Sequence, residues 1–279
     1  MSVMLNSRDF QQLSAFIYSQ LGIKMPASKI TMLSGRLAKR LRALKFGSFQ
    51  SYCEFLFSDQ GQEQEMVHLI NAVTTNKTDF FREPSHFAYL VDSALPVLQS
   101  LNTFNNRRPL RIWSAGCSTG EEPYTLAMVL SEVRERQPGF AFEIIATDIS
   151  TRVLDVARRA VYPMERIEPV SMVHRKKYLL KGKDRRNPEV RIVPEVRRTV
   201  RFGRLNFMVD DFGLPEMVDI IFCRNVIIYF DKDTQERLMC KFSRYLNPNG
   251  YLFLGHSESL HGYDTPFVQI APTVYRKPK

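Results

Sequence analysis

From Leu110 onward, short apolar runs alternate with longer stretches of helical spacing, and that rhythm leaves few folds open. The runs are Leu110 to Ser114, Glu143 to Ala146, Val218 to Cys223 and Tyr251 to Gly255, with helical stretches near Glu121 to Val133, Arg152 to Ala160 and Lys232 to Leu246. Near-continuous apolar strands separated by helices predict βαβ units and a parallel sheet covered on both faces. Pro248, Asn249 and Gly250 predict the turn into the fourth run. Phe267 to Ile270 and Thr273 to Arg276, joined at Ala271-Pro272, predict an antiparallel hairpin closing one edge of the sheet. Between Tyr162 and Phe202 the rhythm breaks into an Arg/Lys-rich segment with Gly182, Pro188 and Pro194 and two β-prone stretches, Val190 to Val193 and Thr199 to Phe202. This span reads as an insertion with its own small sheet, a flexible loop being the alternative.

The first 75 residues carry the other period. Phe10, Leu13, Phe16, Ile17 and Leu21 recur at helical spacing, with Asp9 placed to cap the start and Gly22 to end the segment. A second helix is predicted from Ser28 to Leu44, where Ile30, Leu33, Leu37, Leu41 and Leu44 form one stripe. Its other side is basic: Lys29, Arg36, Lys39, Arg40 and Arg42. Further helical patterns run over Phe49 to Phe57 and Glu63 to Val73.

A chain of 279 residues, 44% hydrophobic, can bury one large core or two unequal ones. No apolar run approaches the roughly 20 residues of a membrane helix, and Met1 to Asp9 lacks the order of a secretion signal, so a cytoplasmic protein without membrane insertion is expected. Cys53, Cys117, Cys223 and Cys240 lie far apart with no His at ligand spacing, which predicts reduced thiols and no metal. The net charge of +10 implies an acidic partner, whether nucleic acid, membrane surface or protein. The charge is dense from Lys24 to Lys45 and from Arg175 to Arg204, which are contact surfaces or simply solvated faces.

Chemistry concentrates in four places. Arg111 to Tyr124 runs strand, small-residue turn, helix, so a ligand can approach the backbone and meet helix N-terminal N–H groups. Gly116 and Gly120 are spaced G-x-x-x-G rather than G-x-G-x-x-G, and Glu121 and Glu122 follow. Negative charge there disfavours a diphosphate and favours a cationic ligand, a requirement that S-adenosylmethionine meets. Asp148 ends the second run, where Rossmann-like folds grip ribose hydroxyls and where helix-capping aspartates also occur. The third run delivers Arg224 and Asn225 to the carboxyl edge of the sheet, followed by Tyr229, an aromatic that is either core or site. Asn76 to Pro84 interleaves polar side chains and Arg82 with two aromatics and reads as a lid, a hinge or a plain linker.

Taken together, Asn76 to Pro84, the Ser114 to Tyr124 loop, Asp148 and Cys223 to Asp231 resemble the chemotaxis receptor methyltransferases, the CheR family, and the resemblance covers nearly the whole chain. It implies an α/β protein: an all-α N-terminal domain (1–75), a linker or lid (76–100), and a Rossmann-like S-adenosylmethionine-dependent methyltransferase domain (101–279) with a small β-subdomain inserted at 162–202. It implies a donor pocket lined by Asn76, Thr78, Arg82, Glu122, Asp148, Asn206, Phe207, Arg224 and Asn225, with Arg82 and Tyr229 as the catalytic residues nearest the transferred methyl. Arg36, Lys39 and Arg40 would face the partner, the cytoplasmic helices of a methyl-accepting receptor, whose glutamates become methyl esters as S-adenosylhomocysteine is released. A monomer that uses no metal and no nucleic acid is expected. In some members the β-subdomain holds a receptor tail through a glycine-bearing loop; here Gly182-Lys183-Asp184-Arg185-Arg186-Asn187-Pro188 keeps one glycine and adds charge. Two other classes share such a donor site. A methyltransferase acting on RNA or a small molecule could use the same positive charge, but the basic segments show no aromatic stacking pattern. A non-catalytic donor sensor has no need of Arg82 and Tyr229.

Overall fold

The computed structural model describes residues 4–105, 108–184, 186 and 188–279, so Arg185 and Asn187 of the glycine-bearing loop lie outside the described residues. Helix α1 (Ser7–Leu21) is capped by Asn6, whose side chain accepts from the Asp9 N–H at 2.8 Å. Asp9, the expected cap, sits instead in the first turn, where its charge suits the positive end of the helix. Gly22 (φ 70) closes α1 in the left-handed conformation. A 3₁₀ turn (Ala27–Lys29) leads into α2 (Ile30–Leu44), followed by α3 (Phe49–Phe57) and α4 (Asp59–Val73). Ser58 starts α4 four residues ahead of the apolar pattern, because its hydroxyl accepts from the Gly61 N–H at 3.1 Å. Leu13, Ile17, Leu33, Leu37, Tyr52 and Leu56 are fully buried in the core that these helices share.

The expected linker or lid divides at Pro84. Residues 76–83 run as a loop, whereas α5 (Pro84–Tyr89), a π-helical turn (Leu90–Ala94) and α6 (Leu95–Ser100) bury Phe87, Leu90, Leu95 and Leu98 in the main core. Pro84 begins this helix rather than ending one, since the first helical position needs no N–H.

The remaining elements follow in order: β1 (Leu110–Ala115), α7 (Glu121–Arg136), β2 (Phe142–Asp148), α8 (Thr151–Arg159), β3 (Val161–Pro163), α9 (Met172–Tyr178), β4 (Leu179–Lys181), β5 (Glu189–Ile192), α10 (Pro194–Arg197), β6 (Val200–Arg204), β7 (Val218–Cys223), α11 (Lys232–Tyr245), β8 (Leu246–Leu254), β9 (Val268–Ala271) and β10 (Val274–Arg276). The main sheet has seven strands in the order β6-β2-β1-β7-β8-β10-β9. Strands β6 to β8 are parallel, and the β9–β10 hairpin enters antiparallel to β8, as the Ala271-Pro272 turn predicts. The turn expected at Pro248–Gly250 is absorbed in β8 as an irregularity, between Leu246 paired with Val218 and Tyr251 paired with Ile220.

The insertion forms a three-stranded sheet ordered β3-β5-β4, so only one of the two expected strands belongs to it. Val190 to Val193 supplies its centre, but Thr199 to Phe202 falls in β6, which pairs with β2 at the edge of the main sheet. Both stretches are β-prone; the choice of sheet lies in long-range pairing, to which local composition is blind. Strand β1 lies between β2 and β7, where the winding of the sheet reverses, and a crevice opens outside the carboxyl ends of these three strands.

Candidate functional site

That crevice is a cleft of about 1010 Å³ including its open mouth, a size suited to a nucleoside-sized ligand. It brings together Asn76, Thr78, Arg82, Glu122, Asp148, Asn206, Phe207, Arg224, Asn225 and Tyr229, every residue expected at a donor or methyl-transfer site. Leu21 and Ile23, from the end of α1 and the turn after it, add a roof that sequence reading did not suggest.

Its floor is the turn from β1 into α7. Gly116 has φ 88, and a Cβ there would stand 2.5 Å from Val226 Cγ2, so glycine alone lets the turn lie against the β7 tip. The Gly116 and Cys117 N–H groups donate to the Thr147 carbonyl at 2.8 and 2.9 Å. Ser118 donates its backbone N–H to Asp148 Oδ2 (2.9 Å) and its hydroxyl to the Asn76 carbonyl (2.8 Å), tying loop, β2 tip and linker together. Asp148 also accepts from the Ser150 N–H at 2.9 Å, while Ser150 holds the N-cap position of α8, so the capping reading of Asp148 fails. Burial pushes the Asp148 carboxyl above its ordinary pKa, opposed by the backbone N–H groups that it accepts from.

The two glutamates do not act as a pair. Glu121, 1% exposed, turns away from the cleft and accepts from Arg166 and from Thr119 Oγ1 (2.6 Å). Glu122 lines the cleft but accepts from Ser114 Oγ and Arg224 Nε, each at 2.7 Å. Repulsion of a diphosphate by two free carboxylates is therefore not the operative term; among the described residues it is Asp148 that brings a carboxylate without a cationic partner to the cleft.

Arg224 works as a strut. Its Nε holds Glu122, its Nη1 donates to the Arg82 carbonyl (2.7 Å) and lies 3.3 Å from His86 Nδ1, and its guanidinium sits over the Phe87 and Phe222 rings. Burial and the neighbouring Arg224 push the His86 pKa down to about 4, so a neutral ring faces the guanidinium. Glu83, His86 and His256 are the one set of metal-type ligands that converges among the described residues, within 4.8 Å, but Arg224 already supplies a positive charge there. Asn206 is similarly committed, its Nδ2 donating to the Gln20 carbonyl (2.8 Å) and its Oδ1 accepting from the Met208 N–H (3.0 Å).

Arg82 and Tyr229 are free by contrast. The half-buried Arg82 makes one bond, Nη1 to the Lys77 carbonyl at 3.2 Å, and pairs with no carboxylate among the described residues. Tyr229 is half-buried on the cleft wall, its hydroxyl bonded to no described residue, which sets aside the core reading. Its carbonyl accepts from the Lys24 N–H at 3.0 Å.

Two of the three cations expected to face a partner are engaged within the protein. Arg36 donates to the carbonyls of Val73 (2.5 Å) and Thr74 and to Thr75 Oγ1, closing the end of α4. Arg40 forms a two-pronged ion pair with Glu65 at 2.7 and 2.6 Å, and Glu65 is 1% exposed. Lys39 alone of the three is exposed and without a partner among the described residues, alongside exposed Lys24, Lys29, Arg42 and Lys45. The helical stripe announces which side is polar; it does not say which of its cations are taken by a neighbouring helix.

Sequence reading also missed Arg166 and Glu258. Arg166 reaches from the insertion to the Thr78 carbonyl (2.7 Å) and to Glu121. Glu258 follows β8 and binds backbone N–H groups of the turn beyond β7. A carboxylate three residues past Gly255, at a strand tip, was the only local signal.

Two family models match: "CheR methyltransferase, all-alpha domain" over residues 8–74 and "CheR methyltransferase, SAM binding domain" over residues 76–276. The chain is 42% identical over 268 residues to "Chemotaxis protein methyltransferase 2" of Pseudomonas aeruginosa, covering 96% of this chain and 92% of that one. It is 37% identical to "Chemotaxis protein methyltransferase" of Borreliella burgdorferi (99% and 96% covered) and 37% identical to that of Escherichia coli (97% and 91% covered). No helix among the described residues is long and apolar enough to cross a membrane. Matches of this extent, on a cleft with these side chains, make the chain a member of the CheR family and an S-adenosylmethionine-dependent methyltransferase.

Proposed function

We propose that the chain esterifies glutamate side chains on the cytoplasmic helices of a methyl-accepting chemotaxis receptor, tuning the signal that the receptor sends. The observation that carries this reading is Arg82: a guanidinium on the cleft lining without a carboxylate partner among the described residues, on the same lining as Tyr229, whose hydroxyl bonds no described residue. A carboxylate acceptor fits it through a charge-assisted two-pronged contact. S-Adenosylmethionine is the co-substrate, and Asp148, Asn76, Thr78 and Asn225 are the residues that would hold it, with Gly116 permitting its close approach.

A glutamate carboxylate, with an ordinary pKa of about 4.3, is already ionised at neutral pH, so no general base is needed. One carboxylate oxygen attacks the methyl carbon, the carbon–sulfur bond breaks with its electron pair passing to sulfur, and the products are a methyl ester and neutral S-adenosylhomocysteine. What the protein contributes is alignment, holding the reacting atoms roughly 3 to 3.5 Å apart and in line, and removal of water from the nucleophile. Arg82 orients the carboxylate, Tyr229 shapes the surroundings of the methyl, and the Leu21–Ile23 roof limits access of water.

Purified protein with labelled donor should place alkali-labile label on receptor cytoplasmic fragments and none on total RNA, the labelled glutamates being mapped by mass spectrometry. Label on RNA, or transfer to neither, would refute the reading.

A further inference from the structure

Glu258 is 4% exposed and has no cationic partner among the described residues. Its carboxylate accepts four backbone N–H groups: Gly255 at 2.6 Å, Asn225 and Val226 at 2.8 Å, and Ile227 at 2.9 Å. Three consecutive N–H groups converging on one anion form a nest, here built round the protein's own side chain. The nest requires Asn225 in the left-handed region (φ 60) and the β8 tip close by, where a Cβ on Gly255 would stand 2.9 Å from the Asn225 nitrogen and 2.4 Å from its Nδ2.

The turn so gathered is the wall of the donor cleft. Arg224, just before it, braces Glu122 and the Arg82 carbonyl; Asn225 and Val226 line the cleft; Val226 packs on the Gly116 turn; Tyr229 follows two residues on. No other side chain hydrogen-bonds the N–H groups of 225–227 among the described residues. A second buried carboxylate on β7 provides the contrast: Asp219, 0% exposed, holds Arg108, the Arg111 N–H and Asn247 at the opposite end of the strand and lines no part of the cleft.

We propose that Glu258 is a positioning residue for the donor, fixing the 224–227 turn in the shape that S-adenosylmethionine requires. The inference rests on the donor site described above and not on the identity of the acceptor. S-Adenosylhomocysteine therefore serves as the probe in calorimetric titration, so that failure to methylate a receptor fragment would refute the proposed acceptor and leave this inference standing.

Glu258→Gln keeps the shape but turns an NH₂ toward converging N–H donors, so at least two bonds are lost and affinity for S-adenosylhomocysteine should fall by roughly tenfold or more. Asp219→Asn, an equal change of charge at the far end of the strand, should lower the melting temperature while staying within about twofold of the parent affinity. Glu258→Asp retains the anion one methylene short and should lie between parent and Glu258→Gln; it carries the test if Glu258→Gln does not fold. Parent-like affinity in the Glu258 variants would overturn the proposal. So would an equal loss in Asp219→Asn, which would reduce Glu258 to a contributor to general stability.

Discussion

Arg82, the side chain proposed to orient the carboxylate, owes little to the fold. Its single bond to the Lys77 carbonyl, at 3.2 Å and half-exposed, has little stability to give up. Arg82→Ala should melt within about 2 °C of the parent, a change of a few tenths of a kcal/mol, while turnover falls about 100-fold or more as the carboxylate loses its orientation. Near-parent methyl transfer by that variant would remove Arg82 from the mechanism. His86 is the reverse case, a titratable group that belongs to the scaffold. Its folded pKa, near 4, is below its ordinary value, so the unfolded chain takes up the proton first as pH falls. Its contribution to stability is complete above about pH 6.5 and drains away between there and about pH 4. Buried Asp148 and Glu258, whose pKa values are raised, act with the opposite sign, so the diagnostic quantity is a difference. His86→Gln should melt less steeply with falling pH across that window, and parallel profiles would show that His86 does not titrate on unfolding.

Among elements, the legible ones share a property: each announces itself by its own residues. Val218–Cys223 and Phe49–Phe57 form over the residues that the pattern indicates, the first buried at all six positions and the second by its stripe. Strands β3 and β4, three residues each, have no pattern long enough to read, and β6 was placed in the wrong sheet because its partner, β2, lies some fifty residues earlier in the chain. The glycine turn was legible as a binding loop, whereas its steric reason, Val226 on another strand, was not. Gly116→Ala should cost about 1 to 3 kcal/mol through its positive φ and the clash together, and should weaken donor binding. Adding Val226→Ala removes the clash but not the φ strain, so the double variant should recover part of the affinity; no recovery would mean that the clash is relieved elsewhere.

At the scale of the molecule, the charge of +10 was plain from composition, but its availability was not. Arg36 and Arg40 read as surface cations, yet one closes α4 and the other satisfies a buried glutamate, which leaves Lys39, Arg42 and Lys45 as cations on and just after α2 with no ion-pair partner among the described residues. Neutralising these three with Gln should raise KM for a receptor fragment severalfold, an effect that fades with added salt, while affinity for S-adenosylhomocysteine stays put. Arg40→Ala should instead lower the melting temperature, since removing one member strands the Glu65 carboxylate at a cost of about 3 to 5 kcal/mol. If Arg40→Ala alone raised KM without loss of stability, the division of labour drawn here would be wrong.

Among the described residues the helical domain is hydrogen-bonded to the rest of the chain at several points, among them Lys24 N–H to the Tyr229 carbonyl, Asn206 to the Gln20 carbonyl, Tyr18 to Asp231 and Ser150 to Asn71. The helical domain is therefore not a detachable module. Were the cationic flank of α2 to read the proposed receptor, changing it for a new target would have to leave the Leu21–Ile23 roof over the cleft as it is.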